Sequence, residues 1–201
     1  MINDVAKSII RDFESDIFVE TGFFRGSTAV VIRSWFKDLE IVEVEINPIY
    51  CQYGREIFRN DPNTKIIQSD SKAFLKSNID YFKKYNNPVF YLDAHWDPEN
   101  WPLRSEIENI CRLSTPIIII DDFKTPNEDG TISSRHGYDS YAGVDCDKEY
   151  ILDLISPHTD TIFYAREPTV DGQGSAIIFV NRNFEDINER INLSSLIAEK
   201  L

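Results

Sequence analysis

An open, doubly wound α/β sheet, mostly parallel, with seven strands and a C-terminal antiparallel hairpin strand, is the fold that these 201 residues predict. Three observations carry the expectation. Short apolar runs alternate with stretches of helical periodicity from end to end, as in the βα units of a parallel sheet. The run PIIII at 116–120 is too apolar for anything but a strand buried on both faces. A turn-rich stretch at 167–174 separates two strand-like runs, as a closing hairpin does. The length fits one domain, with an N-terminal helix over 1–15, a core over 16–180 and a peripheral tail over 181–201.

The elements follow in order. Val5, Ile9, Ile10 and Phe13 share one face of an opening helix. The first strand is 16–20 (DIFVE), then a turn from Gly22 to Gly26 and a helix over 27–36. The second strand is 41–45 (IVEVE), and Pro48 marks the next helix start. A third strand at 65–68 precedes a helix over 71–84, and a fourth at 88–92 precedes a helix over 103–113. After the fifth strand, 124–146 is rich in Gly, Ser, Asp and Asn and too long for a plain connector, so it reads as a lid or as partly ordered. A helix over 148–155, the strands 161–165 and 175–180 and a helical tail complete the chain.

Bulk properties exclude several classes. A formal net charge of −13 argues against nucleic acid as partner, because phosphate backbones need basic footprints. It equally disfavours an anionic membrane surface. Three scattered cysteines, Cys51, Cys111 and Cys146, lack metal-type spacing and suit a reduced cytoplasmic compartment. Residues 1–13 are amphipathic rather than signal-like, and no apolar run approaches ~18 residues. The expectation is a soluble cytoplasmic protein; whether it forms a homo-oligomer is left open.

Ligands of doubly wound sheets bind at the carboxyl ends of the strands. Here those ends read Glu20-Thr21-Gly22, Glu45, Ser69-Asp70, Asp93-Ala94-His95 and Asp121-Asp122. Any one acid could simply cap the next helix; five converging on one crevice suggest a site. The first turn, E-T-G-F-F-R-G-S over 20–27, has two glycines for a tight turn and close backbone approach. It is not a dinucleotide fingerprint, and its leading acid would repel a pyrophosphate but suits a cationic ligand.

This turn resembles the first motif of class I S-adenosylmethionine-dependent methyltransferases, which have a Rossmann-like fold. The form E-x-G-x-x-R-G-S is similar to the branch of macrocin-type O-methyltransferases and cephalosporin-hydroxylase-like proteins, although Phe24 stands where many relatives have a middle glycine. The resemblance runs from about Phe18 to Val180. It implies that Glu20, Thr21, Gly22, Gly26 and Ser27 border the cofactor, and that Glu45 takes the ribose hydroxyls. A carboxylate can accept two such hydrogen bonds. Glu43 is the competitor, with alternation and position favouring Glu45. Ser69 and Asp70 match the place where the family contacts adenine, though Asp70 also suits an N-cap.

Asp93 and the pair Asp121-Asp122 end adjacent strands, and three carboxylates together repel unless protons or a cation neutralise them. Hard oxygen ligands suit Mg2+ or a similar divalent cation, and the arrangement is similar to the metal site of catechol- and macrocin-type O-methyltransferases. The alternative is two helix caps and a solvated acid. His95 beside Asp93 could take the proton of an acceptor hydroxyl; His136 or water are rivals, and a lone His is often structural. Trp96, Trp101, Tyr138 and Tyr141 either line an acceptor pocket or pack the loops. The expected reaction is metal-assisted O-methylation of a small molecule or sugar. A metal-dependent hydroxylase or hydrolase on the same scaffold, and a catalytically silent cofactor-binding subunit, stay open.

Overall fold

A computed structural model describes residues 4–94 and 101–201. Helix α1 (Asp4–Asp12) buries Ala6, Ile9 and Ile10, with Phe13 following in the same cluster. Strand β1 (Ile17–Thr21) and helix α2 (Ser27–Trp35) flank the first turn. Strand β2 (Glu40–Glu45) leads to α3 (Pro48–Ile57), whose start is set by two local signals. Pro48 occupies the first helical turn, and the Asn47 side chain accepts the Ile49 N–H at 2.9 Å. Strand β3 (Thr64–Gln68), α4 (Ser71–Phe82), β4 (Val89–Leu92), α5 (Leu103–Ile110) and β5 (Ile117–Ile120) continue the alternation. Two short strands, β6 (Ser140–Tyr141) and β7 (Val144–Asp145), form a separate hairpin. Helix α6 (Lys148–Ile155), β8 (Thr161–Ala165), β9 (Ala176–Phe179), α7 (Phe184–Arg190) and β10 (Leu196–Lys200) close the chain.

The main sheet has the order β3-β2-β1-β4-β5-β9-β8-β10. Strands β1 to β5 pair in parallel, while β9 runs antiparallel to both β5 and β8. The order reverses between β1 and β4, which is where a doubly wound sheet opens a crevice at its carboxyl edge. One face is covered by α4, α5 and α6 through Leu75, Ile79, Leu103, Ile107, Ile151 and Ile155; the other is covered by α1, α2 and α7. All four isoleucines of β5 are buried between these layers. At about 1.5–3 kcal/mol for each such side chain, this strand anchors the core.

Two expectations change. The sheet has eight strands, because the tail is only partly helical: after α7 the chain returns as β10, antiparallel to β8. Polar contacts fix this edge: Glu199 accepts from the Tyr164 hydroxyl at 2.7 Å and pairs with Lys148. The segment 124–146, expected as a lid or as partly ordered, is ordered as far as its backbone pairing goes. Its backbone is stitched to the strand ends, with Phe123 N–H on the Gly174 carbonyl at 3.0 Å, Lys124 on Cys146 at 2.7 Å and Gly137 on Gly172 at 2.8 Å. No helix among the described residues is long and apolar enough to cross a membrane.

Candidate active site

At the reversal point the carboxyl edge opens into a cleft of about 480 Å³. Its wall comes from the first turn and the end of β2 (Gly22, Phe24, Glu45, Asn47 and Tyr50), the adjoining end of β3 (Ser69 and Asp70), and the end of β4 (Asp93 and Ala94) with Pro102. The glycine at 22 is demanded twice over. Its φ of +89° is left-handed, and a Cβ there would lie 2.4 Å from the Asp93 carbonyl oxygen. Thus the first turn passes directly against the end of β4, with Gly22 N–H on Val44 and Asp93 N–H on Thr21.

Glu45 organises this wall. Its carboxylate accepts the Phe24 N–H at 2.8 Å and the Asn47 N–H at 2.7 Å, one on each oxygen. Each oxygen keeps a further lone-pair direction, so the group can still accept from two ligand hydroxyls. Phe24 holds the left-handed φ, +48°, that a glycine would supply without strain. Its ring is 52% exposed, stands edge-on to Tyr50 at 4.8 Å, and carries the Arg25 guanidinium over its face. Phe23 turns the other way and fills the space that Gly26 and Gly54 leave open. Asp70 caps α4 by accepting the Ala73 N–H and also lines the cleft, so both readings of that residue hold in geometry.

The other acids of the first turn do not line the cleft. Glu20 is buried and faces Glu43 across the β1–β2 register, beneath α2. The expected contact of Glu20, Thr21, Gly26 and Ser27 with a cofactor is therefore not a feature of the described cleft; Gly26 begins α2 and gives Phe23 room. Alternation did not separate Glu43 from Glu45, because residues two apart face the same side. What separates them is depth along the strand. Glu20 and Glu43 are neighbours across the strand register, and Thr28 of α2 stands beside Glu20. Burial, then the neighbouring Glu43, pushes Glu20 well above the usual carboxylate range, and burial pushes Glu43 up to about 7.

The metal expectation fares differently. Among the described residues, no group of three or more His, Cys, Asp or Glu side chains is arranged to hold a metal ion. Asp93 and Asp121 do end neighbouring strands, since Leu92 pairs with Ile120. However, Asp121 is only 3% exposed and accepts from the Tyr91 hydroxyl at 2.6 Å and from Ser175 at 3.4 Å. Asp122 has a left-handed φ of +51°, and its carbonyl accepts the Asp139 N–H. As arranged, the donor set does not fit a divalent ion.

His95 and Trp96 lie outside the described residues. His136 is buried away from the cleft with Nδ1 against the Thr125 hydroxyl, and burial lowers its pKa below the usual imidazole value. Trp101 stacks on Tyr150 at 4.6 Å and meets Tyr141 edge-on at 5.5 Å, so these rings pack the 124–146 segment onto the helices. Tyr138 packs beneath the Lys124 ammonium. Sequence reasoning missed Asn47, Tyr50 and Pro102 as cleft residues. Asn47 was signalled by its place before Pro48, two residues beyond Glu45.

Solved structures share this architecture. The O-methyltransferase from Bacillus cereus, in complex with SAH, matches 90% of this chain and 82% of its own, with 16% identity and a TM-score of 0.62. TomG from Streptomyces achromogenes, an O-methyltransferase of tomaymycin synthesis in complex with SAM, matches 90% and 82%, with 11% identity and a TM-score of 0.62. The fold is that of the S-adenosylmethionine-dependent O-methyltransferases. The N-terminal domain of EvdMO1, determined in the presence of SAH and D-fucose, also shares this architecture, with 12% identity, 89% and 81% coverage and a TM-score of 0.55. No family model matches the chain, and no curated protein matches it significantly.

Proposed function

We propose that the chain is an S-adenosylmethionine-dependent O-methyltransferase acting on a hydroxyl of a small molecule or sugar. The observation that carries this reading is the wall around Glu45. A carboxylate fixed by two backbone N–H groups, next to Ser69 and Asp70 and beside a turn held open by Gly22, fits a ribose and adenine at a strand reversal. The neighbours of this fold that hold SAM or SAH support it. The cofactor, when bound, supplies an electrophilic methyl group.

The protein's share is orientation. Glu45 would hold the ribose hydroxyls, Ser69 and Asp70 the adenine, and the Gly22 turn would let the backbone approach closely. Asp93 lines the cleft at the end of β4 and is assigned, with His95, to take the acceptor's proton. The remaining turn residues, Glu20, Thr21, Gly26 and Ser27, would act by shaping the turn. A divalent cation on Asp93, Asp121 and Asp122 would bind beside the Tyr91–Asp121 hydrogen bond, and because these acids form no metal-holding group among the described residues, no step is drawn through one. Magnesium titration of the SAH complex tests that version directly. The silent cofactor-binding subunit would bind SAH without turnover.

Titration calorimetry with SAH tests the reading. Binding should be measurable in the wild type and weakened by about 1.5–3 kcal/mol in Glu45→Ala, the range for hydrogen bonds to a charged group. Equal affinity in the two proteins would remove Glu45 from the site and the reading with it.

A further inference from the structure

The pair Glu20 and Glu43 is not used by the chemistry above, yet it lies directly under the cleft. The two residues stand opposite each other on adjacent parallel strands, and each carboxyl is the other's nearest charged neighbour. Neither has meaningful access to solvent, and Glu43 is fully buried. Both oxygens of Glu43 and one of Glu20 have no conventional partner among the described residues. Two carboxylates in contact cannot both be ionised in such a place, and a hydrogen bond between them needs a proton. Among the described residues, the groups that face them offer no cation. They are Thr28 from α2, Tyr91 from β4 and Asp121 at the end of β5, where Tyr91 already donates to Asp121. From α1 the facing cluster contributes apolar side chains, Ala6, Ile9 and Ile10.

The pair also occupies a mechanically sensitive position. Glu20 precedes Gly22 by two residues and Glu43 precedes Glu45 by two, so the pair joins the strand ends that carry the cleft wall. Just above it, Gly22 N–H reaches the Val44 carbonyl at 2.9 Å and the Phe24 N–H reaches Glu45. Like charges at 20 and 43 would push β1 and β2 apart below both hydrogen bonds.

We infer that Glu20 and Glu43 form a proton-sharing carboxyl pair that holds the ends of β1 and β2 together, so that loss of its protons at alkaline pH loosens the cleft from beneath. The inference deepens the cofactor reading and rests on it for its effect on binding. Its sign follows from linkage. Burial raises both carboxyls in the folded chain above the ordinary value of 4.5, Glu43 to about 7 and Glu20 well above that ordinary value. The folded state therefore holds protons that the unfolded chain has released. The stabilisation is fully present below about 4.5 and is lost as pH rises through about 7 and beyond. Each such proton lowers the folding constant by about tenfold per pH unit across that window.

Denaturant unfolding at pH 6 and pH 8, in the wild type and in Glu43→Gln and Glu20→Gln, tests the pair. An amide can donate to the remaining carboxylate without a shared proton, so both variants should lose most of the wild-type slope. The contrast with wild type cancels the histidines, which all three proteins retain. SAH affinity, measured at the same two pH values, should fall severalfold on going to pH 8 in the wild type and stay level in Glu43→Gln. A wild-type slope preserved in both variants would overturn the shared proton. Flattened stability with unchanged SAH affinity in the wild type would overturn its action on the cleft. Absence of SAH binding at either pH would instead count against the cofactor reading, and the unfolding slopes would still decide the pair.

Discussion

Beneath α2, the last stretch of the sheet is a layer of acids that face one another and neutral hydroxyls. Past the N-terminus of α2, the same strands end in acids that face backbone amides and an open cleft. Glu43 and Glu45 show the contrast on one strand. Two residues, about 6.6 Å of extended chain, carry a carboxylate from beneath Thr28 to the rim, where Phe24 and Asn47 donate to it. In the buried layer, charge is managed by protons and by Tyr91. At the rim it is managed by N–H groups that a ligand can supplement. An acid at a strand end thus acquires its role from the start of the following helix, which decides how deep the side chain sits.

The boundary between the two regions is Gly22, and replacing it should have the largest effect. Gly22→Ala places a Cβ 2.4 Å from the Asp93 carbonyl at a φ of +89°. A left-handed Cβ costs about 1–2 kcal/mol and a forced shift of packed backbone about 1–3 more. We expect unfolding free energy to drop by a sum of that order in a denaturant titration, and SAH binding to disappear. Stability at the wild-type level would mean that β4 and the first turn are not pressed together, and that the rim and the buried layer are not separated there.

A smaller loss should mark the far end of the buried layer. Tyr91→Phe removes the hydroxyl that donates to Asp121 at 2.6 Å and leaves that carboxylate short of a donor, at a cost of about 1–3 kcal/mol. Asp121→Asn in the same background should recover part of it, because an amide tolerates burial better than an uncompensated charge. No loss in the single variant would place Asp121 with the rim rather than the buried layer. That result would also restore it as a metal donor.

Most of the fold was legible because its signals are local and repeated. The isoleucines of β5, the Asn47-Pro48 helix start and the turn glycines each act through their own neighbours. The site was legible in part. Glu45, Ser69, Asp70, Gly22 and Asp93 line the cleft, and each sits at a strand end, which position in sequence announces. Glu20 sits at a strand end too, yet it faces Glu43, because sequence does not give the height at which α2 crosses the sheet. The same limit applies to Asp121, whose donor Tyr91 comes from a strand 30 residues away. The tail, expected to be helical and peripheral, ends in a strand whose Leu196 is buried and whose Glu199 is held at the sheet edge by Tyr164, a partner that lies outside its own neighbourhood in sequence.

The smallest effect should come from Phe24, where rim and strain meet. Its left-handed φ of +48° disfavours any side chain by about 1–2 kcal/mol. Against that, its ring meets Tyr50 edge-on at 4.8 Å, an arrangement worth about 0.5–1.5 kcal/mol. Phe24→Gly removes both terms and adds backbone entropy to the unfolded chain, so unfolding free energy should change by no more than about 1 kcal/mol. The N–H that donates to Glu45 is retained, since glycine keeps it and tolerates the same φ. Affinity for SAH should nonetheless fall a few fold, because the exposed ring is a wall of the cleft and its loss opens that side to water. Denaturant unfolding and calorimetry on the same preparation separate the two effects. A stability loss well above 1 kcal/mol would show that the ring props the first turn, as buried Phe23 does, and would move Phe24 from the rim to the core side of the comparison.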